Sequence, residues 1–267
     1  MKGIAFSQQD PAGRNIFEAL LDKGFKAKET VNGLPVYFKD DFVLFEFKKD
    51  VISPENLDDF ARAYDLELIA IASRHASKSG RPTLTVHPTG NFGEAKFGGE
   101  GRTLQKTNAN AMRNVYLQLL NEPPEGYEVS MEVTHHGPTK FETPLFFAEI
   151  GSTEKQWSKP ELGEFVADAI TQGLSSKEEV SVVIGFGGNH YASKFSKIEE
   201  DLAFGHMCPK YALDDLKEDT LRQMIKKTVG EVEQAILDEK GMKGAQKAKV
   251  KRILGEMGLE YGIKEDL

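Results

Sequence analysis

Cysteine is almost absent from this chain, since Cys208 is the only one among 267 residues. A single thiol excludes an intrachain disulfide framework and suits a reducing compartment. A lone thiol is more often a small buried hydrophobe than a nucleophile. We therefore predict a fold that is held together by its apolar core, with Cys208 inside that core.

Long apolar segments are absent as well. Nowhere do about 18 apolar residues occur together, and the first residues lead directly into a strand-like segment without an apolar leader. These absences predict a soluble, cytoplasmic protein that is not attached to a membrane. Nothing in the pattern implies an obligate protein partner.

An excess of positive charge is also missing, because the net charge is -8. Such a balance argues against a protein that coats nucleic acid through a bulk positive field, but it permits a local basic patch. One patch follows Lys240: at helical spacing, Lys243, Lys247 and Lys251 share a face and could contact phosphates. A solvated lysine helix is the commoner meaning of this pattern.

Strand-like apolar runs alternate with amphipathic helical segments along most of the chain. The predicted strands cover residues 3–7, 36–38, 42–47, 66–72, 83–86, 127–134, 144–150 and 180–186. The predicted helices cover residues 14–23, 53–64, 110–120 and 160–171, with two more near the C terminus. This order predicts an α/β protein whose mostly parallel sheet is covered on both faces. We expect residues 1–267 to form a single catalytic unit, with two interleaved lobes as the alternative.

Histidine is the residue type whose placement is most informative. Each of the six histidines follows a short apolar run: His75, His87, His135, His136, His190 and His206. Ligands of open α/β sheets bind outside the carboxyl ends of the strands, so side chains delivered there converge. We therefore predict one polar, imidazole-lined cleft.

The segment from Thr134 to Thr139 is the richest of these sites. Neighbouring strand residues face opposite sides of a sheet, so His135 and His136 can share a site only if the backbone turns. The following Gly137-Pro138 supplies such a turn. One imidazole could then act as a base or a ligand while its neighbour is oriented by a further partner. We predict catalytic roles for His136 and Thr139, although one histidine of the pair could instead be a hydrogen-bonded core residue.

Glycines precede His190 in a second segment, residues 185–191. Glycine lets the backbone approach a ligand closely, so amides at Gly188, and likewise at Gly137, could receive an anion or a developing oxyanion. The spacing is not that of a dinucleotide-binding loop. A tight turn with a stacked His-Tyr pair is the structural alternative.

A metal site is the third prediction. Three nitrogen or oxygen ligands with an open position suit catalytic zinc, and we predict His87, His135 and Glu149 as the ligands. Glu94 and Glu132 are weaker candidates. No paired-cysteine or HExxH motif is present, so a metal-free imidazole site remains an alternative. Arg74 or Arg81 could hold a phosphate or carboxylate, although surface arginine is commoner.

Several segments, taken together, resemble the archaeal and plant type of D-aminoacyl-tRNA deacylase. The resemblance runs from about residue 1 to the lysine-rich tail. Asn189 departs from the pattern, since it stands where a third glycine is expected. The matching segments are residues 73–75, 87–91, 134–139, 149–153, 187–191, 205–206 and 210–212.

The resemblance implies hydrolysis of the ester between a D-amino acid and the terminal ribose of tRNA, with zinc as cofactor. It also implies a three-layer α/β/α fold related to phosphorylases and peptidyl-tRNA hydrolases. In such a site we expect His136 or His190 to orient or deprotonate water and His75 to contact substrate. We expect Lys210 to hold a phosphate of the tRNA acceptor end, and the basic helix to steer the tRNA.

Two other functions fit the same residues. A zinc-dependent amidase or peptidase of related fold would use the same histidines without needing the basic helix. A non-catalytic protein that binds RNA ends would stack its histidines on bases.

Overall fold

The computed structural model describes residues 1–263, which form sixteen strands and seven α-helices. The strands are β1 (Lys2–Ser7), β2 (Lys26–Val31), β3 (Leu34–Lys39), β4 (Phe42–Phe47), β5 (Leu68–Ala76), β6 (Thr83–His87), β7 (Gly90–Asn91), β8 (Thr103–Leu104), β9 (Thr107–Asn108), β10 (Glu128–Met131), β11 (Leu145–Ser152), β12 (Ser181–Gly187), β13 (Leu202–Cys208), β14 (Thr228–Val229), β15 (Val232–Asp238) and β16 (Tyr261–Ile263). The helices are α1 (Pro11–Asp22), α2 (Leu57–Ala63), α3 (Ala109–Leu120), α4 (Glu154–Trp157), α5 (Pro160–Ser175), α6 (Glu218–Lys226) and α7 (Gly244–Met257).

Two sheets organise the chain. The first has eight strands in the order β10-β6-β11-β5-β1-β4-β3-β2. Its central strands β11, β5, β1 and β4 are parallel, whereas β6 runs antiparallel to β11 and β3 runs antiparallel to its neighbours. The second sheet, β13-β12-β15-β16, is wholly parallel. The predicted α/β class with a mostly parallel, mixed sheet is confirmed.

Alternation along the strands explains the layers of the first sheet. Residues such as Phe146 and Ala148 pack in a core with α1, α3 and α5, whereas Phe147 and Ile71 face the opposite side, which α2 covers. The core on the α1 side also includes Phe204 of the second sheet. Because both sheets contribute to one core, we keep the single catalytic unit as our proposal.

Helices α6 and α7 cover the other face of the second sheet. Leu221 of α6 and Ile253 of α7 pack in one core with Phe186 of β12. Cys208 is fully buried in this core and burial raises the pKa of its thiol, which confirms the prediction that it is a core residue. Within residues 1–263, no helix combines the length and apolar character needed to cross a bilayer.

Helix boundaries follow local signals that the apolar pattern alone did not reveal. Helix α1 begins at Pro11, earlier than predicted, because Asp10 caps it by accepting a hydrogen bond from Gly13 N at 2.8 Å. Helix α2 begins at Leu57 rather than near residue 53, since Asn56 takes a left-handed conformation (φ 55°). The sequence prediction of these two starts was wrong by three to four residues.

Candidate active site

Five histidines meet in what we call the imidazole cluster, defined as His75, His87, His135, His136 and His190. The ring centroids of His135 lie 4.2 Å from His87, 4.4 Å from His136 and 4.7 Å from His190. His75 joins through His190, at 5.6 Å. These residues come from four separate stretches of chain, and the structure brings them together.

The cluster lies over a face of the first sheet rather than beyond one rim. His75 lies at the carboxyl end of β5, opposite Gly151 near the end of β11, whereas His87 at the end of antiparallel β6 stands opposite Phe147, near the start of β11. The two rings stack, with centroids 5.2 Å apart. The expectation that the histidines share the carboxyl edge of parallel strands was therefore wrong, because it assumed that β6 runs parallel to β5 and β11.

His206 does not belong to the cluster. It lies inside β13, is completely buried, and its Nδ1 is 3.2 Å from the hydroxyl of Thr134. Burial lowers its pKa to about 3, so the ring is neutral. The prediction that all six histidines converge was wrong for this residue, because the short apolar run before it is only the first half of its strand.

Glu132 is the centre of the polar network. Its carboxylate is fully buried, with Oε1 at 3.0 Å from His75 Nδ1 and Oε2 at 2.9 Å from His190 Nε2. His135 Nε2 approaches Oε2 at 3.4 Å. Burial alone would raise the pKa of this carboxyl, but the contacts with His190 and His75 outweigh burial and lower it well below its usual range. Glu132 is therefore a buried anion that is held among imidazoles.

Glu149 supports the cluster from β11. Its Oε1 accepts a hydrogen bond from Ser73 Oγ at 2.6 Å. Its Oε2 lies 3.6 Å from His75 Nδ1 and 3.6 Å from His87 Nε2. Burial disfavours charge on His75, but the facing Glu132 and Glu149 raise the pKa of His75 to about 11. His75 is thus a cation between two carboxylates, and its Nε2 donates to the hydroxyl oxygen of Tyr191 at 3.1 Å.

Three imidazoles have their tautomer fixed by a backbone carbonyl. Nδ1 of His87 donates to Pro88 O (3.1 Å), that of His135 to Val133 O (2.8 Å), and that of His136 to Gly137 O (2.6 Å). A carbonyl only accepts, so Nδ1 carries the proton in each ring. This leaves Nε2 of His135 and His136 available as a lone-pair donor, and that of His87 once its Nε2 proton is lost, which is the arrangement found for histidines that bind metals.

Ligand atoms of His87, His135 and His136 lie within 4.8 Å of one another. Burial and the neighbouring His87 lower the pKa of His136 to about 4, and burial lowers that of His135 well below its usual range. Both rings are therefore neutral, as metal ligands must be. Burial lowers the pKa of His87, but the carboxylate of Glu149 outweighs burial and raises it. A metal would therefore have to displace a proton from His87 Nε2.

Unsatisfied buried atoms surround the same space. His87 Nε2 and both oxygens of Glu132 have no properly directed hydrogen bond, although histidine nitrogens are close to the carboxylate. Buried polar atoms normally have partners. Three imidazole nitrogens beside a carboxylate suit zinc with an open coordination position, so the donor set fits the metal that the sequence predicted.

The predicted ligand set differs from this group. His87 and His135 belong to it together with His136, whereas Glu149 groups with His87 and Glu132. A further group that could hold a cation comprises His75, Glu132 and His190. Glu94, the other weak carboxylate candidate, is exposed on the loop and has no place in these groups.

Thr139 and Gly137, two of the predicted site residues, hold a loop next to the cluster. Thr139 is buried, and its hydroxyl accepts a hydrogen bond from Glu100 N at 2.9 Å. This hydrogen bond helps to position the loop at residues 97–101. The Gly137 amide donates to Phe97 O at 2.9 Å. That amide is therefore engaged and unsuited to receiving an oxyanion, which corrects the expectation for Gly137. A catalytic role of Thr139 stays a prediction.

Gly188 and Lys210 lie beside His190. Lys210 N donates to Gly188 O at 3.1 Å, and both residues line a cavity of about 240 Å³ together with Gly241. Gly188 has a positive φ of 73°, which glycine tolerates at little cost. The predicted phosphate contact, Lys210, is therefore hydrogen-bonded through its backbone to the loop that carries His190.

The basic helix is partly neutralised by two acids outside it. Lys247 and Lys251 both form ion pairs with Glu239, at 3.4 and 2.5 Å, and Lys243 lies 3.4 Å from Asp214. Sequence spacing along the helix could not reveal these partners. Arg74 and Arg81 are also engaged, since Arg74 stacks over Trp157 and Arg81 pairs with Glu128.

Sequence reasoning ranked Glu132 too low and assigned no role in the site to Ser73 or to the hydroxyl of Tyr191. The available signal for Glu132 was an acid inside the apolar run Met131-Glu132-Val133, because a charge kept in a buried segment requires compensating partners. Ser73 stood out only as a hydroxyl near His75, and Tyr191 only as a possible stacking partner of His190; hydroxyls near histidines are too common on surfaces to assign a role.

Known proteins match this chain along nearly its whole length. The sequence profile of the D-aminoacyl-tRNA deacylase family matches residues 62–262. A D-aminoacyl-tRNA deacylase of Thermococcus kodakarensis is 38% identical over 273 residues, covering 98% of this chain and 99% of the relative. The corresponding protein of Archaeoglobus fulgidus is 37% identical over 271 residues, covering 99% and 95%.

A solved structure agrees with these matches. A crystal structure described as a conserved protein of unknown function superposes with a TM-score of 0.93 at 35% identity, covering 100% of this chain and 96% of the other. The resemblance inferred from the sequence motifs is confirmed, and the chain belongs to the D-aminoacyl-tRNA deacylase family.

Proposed function

We propose that the imidazole cluster hydrolyses the ester between a D-amino acid and the terminal ribose of tRNA, with zinc held by His87, His135 and His136. Family membership supports the reaction, and it confirms the sequence prediction of a D-aminoacyl-tRNA deacylase. The observation that carries the site assignment is the set of three imidazoles whose Nδ1 protons are fixed by backbone carbonyls. When bound, zinc supplies a Lewis acid for attack of water on an ester carbonyl.

The pair His190 and Glu132 supplies the proton transfers. His190 is 35% exposed, whereas Glu132 is fully buried behind it, so the imidazole faces the substrate and the carboxylate does not. Glu132 holds His190 Nε2 and stabilises the imidazolium that forms when Nδ1 takes a proton from the attacking water. The ester C–O bond then breaks, and the same proton passes to the departing ribose oxygen. The products are a free D-amino acid and uncharged tRNA.

His75 and Glu149 position the machinery. The charged His75 bridges Glu132 and Glu149, and Glu149 in turn faces His87. This row of contacts fixes the two carboxylates, which would otherwise repel each other across a buried space. We propose that His75 acts through these contacts and through Tyr191 rather than by reacting with substrate.

The tRNA end is proposed to lie across the loop of Gly188 and Lys210. Lys210 is an exposed residue that lines the cavity together with Asn189, and its ammonium could pair with a backbone phosphate. Among the lysines of the basic helix, Lys243 is the most exposed, with 76% of its side chain accessible, whereas Lys247 and Lys251 share Glu239. We propose that Lys243 contributes to steering and that the other two contribute less. A cytoplasmic location stays a prediction.

The test is deacylation of tRNA that carries one amino acid in its D or its L form, with and without a chelator. We expect hydrolysis of the D form, slower hydrolysis of the L form, and loss of activity with the chelator that added zinc restores. Hydrolysis that is unaffected by thorough chelation would refute the zinc assignment. Turnover of small acyl-amino acids without sensitivity to salt would favour an amidase, and binding of charged tRNA without release would favour an RNA-end-binding protein.

A further inference from the structure

Two exposed aromatic side chains lie on separate loops, each of which is hydrogen-bonded to a segment that carries a histidine of the imidazole cluster. Phe97 is 69% exposed and Tyr211 is 60% exposed. Leu120 and Tyr261 are the other large apolar side chains that are exposed in residues 1–263. Single exposed aromatics are common on protein surfaces, so the location of these two is the informative point.

Phe97 is tied to the cluster through its backbone. Its carbonyl accepts the hydrogen bond from the Gly137 amide, which directly follows His136. The approach is so close that a Cβ on Gly137 would lie 2.4 Å from Gly99 N. The loop is thus held against the cluster by main-chain contacts, while the phenyl ring points into solvent.

Tyr211 is connected to the cluster through its neighbour in the chain. Its neighbour Lys210 donates to Gly188 O, in the loop that carries His190. Burial, with smaller contributions from the charges of Cys208 and Glu132, raises the pKa of the Tyr211 hydroxyl to about 12. The two loops also meet, since a Cβ on Gly93 would lie 3.5 Å from Asp215 Oδ2.

We propose that Phe97 and Tyr211 are stacking platforms for the unpaired bases at the aminoacylated end of tRNA. This inference rests on the proposed function, because it takes the substrate to be a single-stranded RNA end. Unpaired bases are recognised chiefly by stacking on aromatic rings, and phosphates between them pair with cations. Lys210, adjacent to Tyr211, is placed to meet such a phosphate, so base and backbone contacts occur together.

The alanine variants Phe97→Ala and Tyr211→Ala test the proposal. Each should raise KM for D-aminoacyl-tRNA by roughly 5- to 100-fold, the range of one lost base stack, with little change in kcat. Phe97→Trp and Tyr211→Phe should retain nearly the wild-type KM because they keep an aromatic face. Tyr261→Ala is the matched control. Tyr261 is an exposed aromatic residue on the edge strand β16, where its ring faces Lys251 of α7.

A binding measurement separates this proposal from the proposed function. The probe is a short uncharged RNA ending in the CCA of tRNA, with 2-aminopurine in place of the terminal adenine. Stacking should quench its fluorescence on the wild-type protein and on Tyr261→Ala, and the two alanine variants should weaken the quench. A wild-type protein that quenches the probe but hydrolyses no D-aminoacyl-tRNA would refute the proposed function alone.

Two results would overturn the stacking proposal. The first is an active enzyme whose alanine variants keep the wild-type KM and the wild-type quench. The second is a Tyr211→Phe variant as impaired as Tyr211→Ala, together with a Phe97→Trp variant as impaired as Phe97→Ala, since aromatic faces would then not be what the substrate requires.

Discussion

His190 Nε2 lies 2.9 Å from Glu132 Oε2, which joins a partly exposed imidazole to a completely buried carboxylate. The other Glu132 oxygen is turned toward His75. The carboxylate therefore lies behind the exposed side of His190, which substrate can reach. There it can stabilise charge on an imidazole without being screened by solvent.

Replacing Glu132 by glutamine should lower the rate of deacylation by about 100-fold or more, the usual cost of disabling general acid–base catalysis. The amide keeps the shape of the side chain but removes the anion that stabilises protonated His190 and His75. Single-turnover hydrolysis of D-aminoacyl-tRNA measures the effect. Glu128→Gln, which alters an exposed partner of Arg81, is the control and should remain active. An active Glu132→Gln enzyme would exclude the proposed proton transfer.

Replacing His206 by asparagine should lower stability while leaving most of the activity. The ring is buried in β13, hydrogen-bonded to Thr134, and separate from the imidazole cluster. We expect the free energy of unfolding to fall by about 1–3 kcal/mol, as for the loss of a buried polar contact. Urea unfolding and the deacylation rate should be measured on the same protein. A loss of rate as large as that of a cluster histidine, in a variant that remains folded, would contradict this separation.

Asp10 should make stability depend on pH. Burial raises its pKa from 3.8 to about 6, against the hydrogen bonds that it accepts from the Gly13 and Arg74 amides. The folded state therefore takes up a proton before the unfolded state does, so stability rises as pH falls through 6 and the gain is complete below 3.8. The full difference corresponds to about 3 kcal/mol.

The comparison that isolates this effect is between the wild type and Asp10→Asn, which can keep the helix cap but cannot titrate. Unfolding free energies should be measured from pH 7 to pH 4. We expect the wild type to gain stability relative to Asp10→Asn over this range. A difference that stays constant with pH would show that Asp10 ionises normally.

Two glycine substitutions should have opposite effects on stability. A Cβ on Gly173 of α5 would lie 2.5 Å from Val115 Cα of α3, so Gly173→Ala should destabilise the protein by about 1–3 kcal/mol through overpacking. Gly255 of α7 has no neighbour within 4 Å of such a Cβ, so Gly255→Ala should stabilise by up to about 1 kcal/mol because alanine favours the helix. Chemical denaturation measures both. Equal effects would contradict the close α3 and α5 packing.

The apolar pattern was sufficient for elements that are buried on one or both faces. The strand at residues 42–47 was predicted with the observed bounds, and the helix at 110–120 was predicted with the observed end and a start one residue late. Strand β2 was missed because its residues are mostly exposed and polar at a sheet edge. Strand β15 was missed because its sequence, which includes Ala235 and Leu237, lies between two helical patterns and does not alternate clearly.

The site was harder to predict than the elements around it. Strand direction is not encoded in apolar periodicity, so the reversal of β6 that brings His87 against Phe147 could not be foreseen. The ranking of Glu132 failed for a related reason, because its partners His75 and His190 are distant in sequence. Motif resemblance identified the family, whereas local physics alone left three functions open.

The central claim is that His87, His135 and His136 hold the metal on which hydrolysis depends. The most direct measurement is the zinc content and the single-turnover rate of the same preparations of wild type, His135→Ala and His206→Asn. We expect stoichiometric zinc and full activity in the wild type, both nearly lost in His135→Ala, and both retained in His206→Asn. A His135→Ala protein that keeps its zinc and hydrolyses D-aminoacyl-tRNA at the wild-type rate would contradict the claim.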